Sequence, residues 1–326
     1  MEAMRRATAP SGGEGLVLTL AGSETFLLYE MKFPLREFAA FEVALDEQAL
    51  EELERRFVTP IMERAAAAGA AVVLDAPTWR ASPDYLDKLG YTAEGDLERI
   101  VRACVAAQQR VSAKWRPRGL EVIISAEIGP RGDGYVAASA MTPDEARAYH
   151  QPTIAAAKAA GVDMVTAYTM TNLNEAAGVA LAAAQIGVPA VISCTIETDG
   201  RLPDGHSLGE LVTTVDAMLA SRGAAQPLAY MVNCAHPTHL APALAAARAA
   251  GAAWLPRLRG LRANGSCLSH AELDALTELD AGDIPRLGAD MAALHRSANL
   301  RVLGGCCGTD ARHIASILDA LGRGPA

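Results

Sequence analysis

The chain of 326 residues is 51% hydrophobic and 21% charged, the composition of a globular protein long enough for one large domain or two ordinary ones. A net charge of -9 with no long run of Lys or Arg argues against nucleic acid and anionic membrane as partners, and no stretch is apolar for long enough to span a bilayer. Six irregularly placed cysteines without a secretion signal point to a reducing compartment, expected to be the cytoplasm, with free or metal-bound thiols.

Residues 1–15 are rich in Gly and Ala and lack an apolar signal core, so they read as a flexible tail ahead of one folded domain, residues 16–326. Apolar runs at Leu16–Leu20, Ala71–Asp75, Glu121–Ala126, Asp163–Ala167, Ala190–Thr195, Leu228–Asn233, Ala253–Leu258 and Arg301–Leu303 read as strands. Helical patterns separate them at Asp46–Ala68, Ala93–Trp115, Pro143–Ala160, Asn172–Ile186, Leu208–Ser221, Thr238–Ala250 and Pro285–Ser297, with a last helix from about Thr309. Eight continuous apolar strands alternating with eight helices predict an α/β fold, a (β/α)8 TIM barrel. A doubly wound open sheet is the competitor, but no G-x-G-x-x-G follows the first strand.

In such a barrel the chemistry sits in the loops after the strands. Gly304-Gly305-Cys306-Cys307-Gly308-Thr309-Asp310 places two adjacent thiols at the end of strand eight, where glycines let the backbone turn so that both sulfurs reach one point. On its own the pair also fits two small buried hydrophobes beside a turn. Cys234 ends strand six, one strand away around the mouth, so three sulfurs can converge; three protein ligands and an open fourth position are the pattern of a catalytic zinc ion. Cys104 in a helix and Cys267 in a long loop read as packing or surface, while Cys194, inside or at the end of strand five, stays open. Zinc with three thiolates is a weak Lewis acid but leaves a bound thiolate electron-rich, which favours alkyl transfer to sulfur. Hydrolase or lyase chemistry with His236 or His239 as base, and zinc or thiol binding without catalysis, are the competing uses.

Asn233-Cys234 followed by Gly304-Gly305-Cys306-Cys307-Gly308-Thr309 resembles the metal-binding signature of the homocysteine S-methyltransferase family, with Ile128-Gly129-Pro130 and Glu175-Ala176 falling in the family's order. The resemblance implies a β/α barrel, Zn2+ held by Cys234, Cys306 and Cys307, and transfer of a methyl group to the metal-bound sulfur of homocysteine, giving methionine. Because the chain ends just after the barrel, the donor is expected to be a small onium compound such as S-methylmethionine, betaine or S-adenosylmethionine. A homo-oligomer is compatible with this reading. Two departures from the family pattern stand out. Its first strand usually ends in Asp-Gly-Gly, where this chain has Leu20-Ala21-Gly22, and Glu-Thr usually follows strand four, where this chain has Tyr168-Thr169. Both acids expected to hold the substrate ammonium are therefore missing, so either Glu24 replaces them or the acceptor is a different thiol.

The candidate substrate-contacting residues are accordingly Gly22, Ser23, Glu24 and Thr25 after strand one, Trp79 after strand two, Tyr168 and Thr169 after strand four, and Asn233. Glu24 also fits a solvated loop acid, and Trp79 a core or lid aromatic. Gly129–Tyr135 reads as a loop that closes over a ligand or as a tight surface turn. Arg257, Arg259 and Arg262 read either as an anion site after strand seven or as partners of Glu272 and Asp274.

Overall fold

The structure, a computed structural model, describes residues 1–9, 15–137 and 141–324. Eight strands pair in chain order and all in parallel to close a barrel: β1 Val17–Leu18, β2 Ala71–Ala76, β3 Val122–Ile128, β4 Met164–Met170, β5 Ala190–Cys194, β6 Ala229–Ala235, β7 Leu258–Ala263 and β8 Val302–Gly305. Val17 closes the ring against both Ala71 and Val302. The predicted (β/α)8 barrel is the observed fold. The helices start where local chemistry says they should: Thr142 and Ser207 form capping boxes with Glu145 and Glu210, each side chain satisfying an N-terminal amide that has no intrahelical partner.

Two layers of burial follow from the alternation of strand side chains. Outward residues such as Val72, Leu74, Ile124, Val165 and Ile192 pack under the helices as the main core. Inward residues change character along the barrel axis. At the bottom Ala71, Val73, Ile123, Met164, Val191, Met231 and Val302 form a second apolar cluster. One step up, the hydroxyls of Ser125 and Thr166 bond to each other at 2.8 Å. At the top the same inward register delivers Asp75, Glu127, Tyr168, Asn233 and Arg262, all buried.

Two sequence expectations need correction. The first concerns the tail. Glu2–Thr8 is a helix whose Ala3, Met4 and Ala7 join the bottom cluster, so it plugs the lower end of the barrel; residues 10–14 of the predicted tail lie outside the described residues. Its docking is polar at the rim, where Arg259 donates to the Ala9 carbonyl at 2.7 Å and the Ala3 amide to Glu121 at 2.7 Å. The second concerns strand seven, which runs Leu258–Ala263 rather than Ala253–Leu258. Leu255–Arg257 is a 3-10 turn, and the true strand was masked by its two arginines. Gly260 is required there, because a Cβ would meet the Val302 backbone carbonyl of the neighbouring strand at 2.7 Å as well as the Met231 side chain.

Because Met4 is fully buried at the barrel base, Met4→Ala should lower stability by about 2 kcal/mol or more, visible as a lower denaturant midpoint. An unchanged midpoint would mean that the helix is not docked.

Candidate active site

The ends of β6 and β8 bring three thiols together. The side-chain sulfurs of Cys234, Cys306 and Cys307 lie within 4.8 Å of one another, and among the described residues they are the one group of three or more His, Cys, Asp or Glu ligand atoms so placed. The sulfurs of Cys234 and Cys306 are within bonding distance of each other, with Cα atoms 5.5 Å apart. Cys104 and Cys194 are buried elsewhere and Cys267 is exposed, outside this cluster.

Local backbone chemistry explains the convergence. Cys234 has φ 51° at a register shift between β6 and β7, which swings its sulfur towards β8. Thr169 also has positive φ, 61°, a costly state for a β-branched residue. Asn233 fastens both: its Oδ1 accepts from the Thr169 amide at 2.9 Å, and its Nδ2 donates to Thr169 Oγ1 at 3.0 Å and to Cys234 Sγ at 3.3 Å. On the other side the turn Cys306–Thr309 is pinned to the loop after β1. Thr309 Oγ1 accepts from the Gly22 amide and Thr25 Oγ1 from the Gly308 amide, both at 3.2 Å, and a Cβ on Gly22 would run into the Cys306 carbonyl.

The sulfurs open into a cavity of about 260 Å3 at the C-terminal mouth of the barrel. Of the residues expected from sequence, Glu24, Thr25, Trp79, Tyr168, Thr169 and Asn233 line it with the three cysteines. Gly22 and Ser23 do not; Gly22 supports the cysteine turn, and Ser23 Oγ donates to Glu24 at 2.9 Å. The loop Gly129–Tyr135 contributes Asp133, Gly134 and Tyr135, whose hydroxyl lies 3.6 Å from Cys307 Sγ and whose ring stacks on His270 at 4.1 Å. His270 in turn bonds the Cys234 carbonyl at 2.7 Å and Glu197 at 3.0 Å. Trp79 carries the Arg80 guanidinium on its face at 3.8 Å.

The sequence reading missed the groups that dominate the electrostatics. Arg262, expected in a loop, is in β7 and points into the mouth, where its Nη1 meets Glu127 Oε1 at 3.1 Å and lies 4.0 Å from Asp75. Its Nε donates to the Gly305 carbonyl at 2.7 Å, its Nη2 to the Ala21 carbonyl at 2.9 Å, and its guanidinium sits 4.8 Å from the Tyr168 ring. The anion site that the sequence suggested after strand seven is not formed by Arg257 and Arg262: Arg262 is spent on these contacts, and Arg257 pairs with Asp216 at 2.8 Å rather than with the suggested Glu272 or Asp274. Tyr168 donates to Asp75 Oδ2 at 3.2 Å, while Asp75 Oδ1 is buried without a hydrogen-bond partner. Burial, offset only in part by Arg262 and Tyr168, pushes the Asp75 carboxyl up to about 6; burial and then repulsion from Glu24 hold Glu127 well above the usual carboxylate range. Burial opposes the charge of Arg262, but Tyr168, Glu127 and Asp75 around it raise its pKa further. Asn264 is a further missed lining residue, with Oδ1 buried and unpaired.

The histidines weighed as bases are elsewhere. His236 caps the helix Pro237–Ala249 and His239 bonds the Cys267 carbonyl at 3.0 Å; both face a separate small pocket, and burial lowers both pKa values.

A family model described as homocysteine S-methyltransferase matches residues 26–321. The chain belongs to the homocysteine S-methyltransferase family. It is a methyltransferase, and its acceptor is homocysteine or a related thiol. Among solved structures, the homocysteine methyltransferase MmuM from Escherichia coli is similar in fold in its oxidised form (20% identity, 97% of this chain and 99% of that one, TM-score 0.69) and in its metallated form (20%, 94% and 96%, TM-score 0.67). No curated protein sequence matches the chain. Its acceptor and donor are small molecules, and among the described residues no helix is long and apolar enough to cross a membrane.

The raised pKa of Asp75 has a stability signature. In the unfolded chain the carboxyl ionises near 3.8 and in the folded protein near 6, so the stability that its protonated form contributes is complete below pH 3.8 and is lost as pH rises through about 6. Asp75→Asn removes this loss. The stability of the variant relative to wild type should therefore grow by about 1–3 kcal/mol between pH 4 and pH 7, read from denaturant midpoints; a difference that does not change with pH would contradict the assignment.

Proposed function

We propose that the protein is a zinc-dependent S-methyltransferase in which Cys234, Cys306 and Cys307 hold the metal and the acceptor thiol meets a small onium methyl donor in the cavity above them. The observation that carries this reading is the convergence of three thiols, at the active end of the barrel, on one side of a cavity that can admit a fourth ligand. Zn–S bonds of about 2.3 Å at tetrahedral angles put sulfurs about 3.8 Å apart, so three reduced sulfurs that already lie within 4.8 Å of one another need only small side-chain movements to share one ion, and an all-sulfur donor set suits zinc over harder divalent ions. Reduced thiols fit the expected cytoplasmic location. When bound, zinc would lower the pKa of the acceptor thiol so that the sulfur is nucleophilic at neutral pH.

The residues of this chain do the rest. Glu24, Asp133, Asp274, Glu278 and Asp280 line the cavity, and the two lining guanidiniums are already engaged, Arg262 as above and Arg80 on the Pro130 and Gly132 carbonyls. A surface so charged favours cations. Trp79, Tyr135 and Tyr168 add aromatic faces, which attract a sulfonium or quaternary ammonium centre. In the transfer, a sulfur lone pair of the acceptor forms the new S–CH3 bond as the bond from methyl to the onium centre breaks, and the donor leaves as a neutral thioether or amine. The Tyr135 hydroxyl beside Cys307 is placed to donate to the sulfur cluster. The hydrolase alternative loses its base, since His236 and His239 lie outside this cavity.

Reduced protein should bind about one zinc per chain, lost in Cys234→Ser, Cys306→Ser or Cys307→Ser and kept in Cys104→Ser and Cys267→Ser, as measured by metal analysis. Full metal content in Cys306→Ser would refute the ligand set. Because the barrel core supplies most of the burial, chelation should leave the circular dichroism spectrum intact; collapse would make the metal structural. Wild type should methylate homocysteine from S-methylmethionine, whereas turnover only on substrates without a thiol would support the hydrolase or lyase reading.

A further inference from the structure

One buried acid does not line the cavity and yet reaches its wall. Glu175 lies on the helix Leu173–Ile186, whose buried neighbours are mostly alanine, and its side chain and that of His150 on the helix Pro143–Ala160 are each 1% exposed. A carboxylate in such surroundings is costly unless hydrogen bonds repay its burial. Its bonds lead out of the core. Oε1 lies 2.9 Å from His150 Nε2 and accepts from the backbone amide of Arg131 at 2.7 Å, while Oε2 accepts from Asn172 Nδ2 at 3.3 Å. Arg131 belongs to the loop Gly129–Tyr135, which lines the cavity through Asp133, Gly134 and Tyr135. The same loop is gripped a second time by Arg80, whose Nη1 donates to the carbonyls of Pro130 at 3.1 Å and Gly132 at 2.8 Å. Beyond these two grips Asp133 Oδ1 accepts from the amides of Tyr135 at 2.6 Å and Val136 at 3.1 Å, a turn that leaves the Tyr135 ring on His270 and its hydroxyl beside Cys307.

We infer that Glu175 is a positioning residue for the transfer: it clamps the Arg131 amide so that the loop holds Tyr135 against the thiol cluster. This rests on the reading of the protein as a thiol S-methyltransferase. The chemistry of the contact suits a clamp. A carboxylate that accepts from a backbone N–H makes a charge-assisted bond, about twice as strong as a neutral one, and a main-chain donor fixes the loop whatever its side chains do. Both ends of the path are supported. Asn172 caps the helix that carries Glu175, and His270, which backs the Tyr135 ring, is itself bonded to the Cys234 carbonyl.

The test is a double-mutant cycle on the reduced, zinc-loaded protein, read by kcat/KM for methyl transfer from S-methylmethionine to homocysteine and by the rate of trypsin cleavage after Arg131. Glu175→Leu should lower kcat/KM roughly tenfold, the loss expected for one charge-assisted bond, leave the zinc content unchanged and open the bond after Arg131 to trypsin. Tyr135→Ala should lower kcat/KM at least as much, and adding Glu175→Leu to it should cost nothing further, because the clamp then has nothing to hold. Losses that multiply in the double variant overturn the assignment, and so does full activity in either single variant. Glu175→Gln keeps an oxygen for the Arg131 amide without its charge and serves if Glu175→Leu fails to fold: a smaller loss that vanishes in the Tyr135→Ala background supports the clamp, and one that persists there refutes it. A wild type that is active but is cut after Arg131 as fast as the Glu175 variants loses the clamp and leaves thiol methylation standing. Failure of wild type to transfer a methyl group would overturn the methyltransferase reading itself and the positioning role with it.

Discussion

The buried guanidinium of Arg262 is the contact on which the mouth of this barrel depends. It rises from β7 and reaches three other elements, taking the Gly305 carbonyl just before Cys306, the Ala21 carbonyl just before Gly22, and the Glu127 carboxylate on β3. Gly22 itself abuts the Cys306 carbonyl, so one side chain fixes both walls of the turn that carries two of the thiols. A buried charge of this kind is retained only where the groups around it repay its desolvation. Here they do so with two carbonyls and a carboxylate, and the charge that fastens the thiols also balances part of the acid that surrounds them.

The thiol cluster is held from the opposite side without charge. Asn233 spends its amide on Thr169 and on the Cys234 sulfur, stabilising two residues at positive φ that would otherwise relax. Strained backbone at the top of β4 and β6 and a glycine-rich turn after β8 are thus two halves of one device, which aims sulfurs from different strands at one point. The gradation inside the barrel serves the same end. An apolar base sealed by the N-terminal helix and a hydroxyl layer above it leave the charged layer confined to the mouth, where low surrounding polarity strengthens every electrostatic contact.

Much of this was legible in the sequence, for physical reasons that can be named. The barrel followed from apolar runs separated by helical patterns, since strands covered on both faces have no polar alternation to hide them. The cysteines followed because adjacent thiols between glycines can reach one point where a strand ends, and Cys234 at the end of a strand nearby made that point a shared one. The charged layer was lost for a related reason. Strand three was ended at Ala126, one residue short of Glu127, and strand seven was drawn on the apolar Ala253–Leu258 run, which placed Arg262 in a loop. The signal was present: Val73 and Ile123 face inwards at the base, and the two-residue period carries that face up to Asp75 and Glu127. The N-terminal helix was missed because seven residues, about two turns, are too few to display a period.

The central claim is that three cysteine sulfurs form an incomplete metal site that the acceptor completes. X-ray absorption at the zinc edge of the reduced, zinc-loaded protein measures it directly. The account predicts about three sulfur neighbours and one lighter atom in the free enzyme, changing to about four sulfurs when homocysteine is added. A sulfur count that stays the same with saturating homocysteine would contradict it.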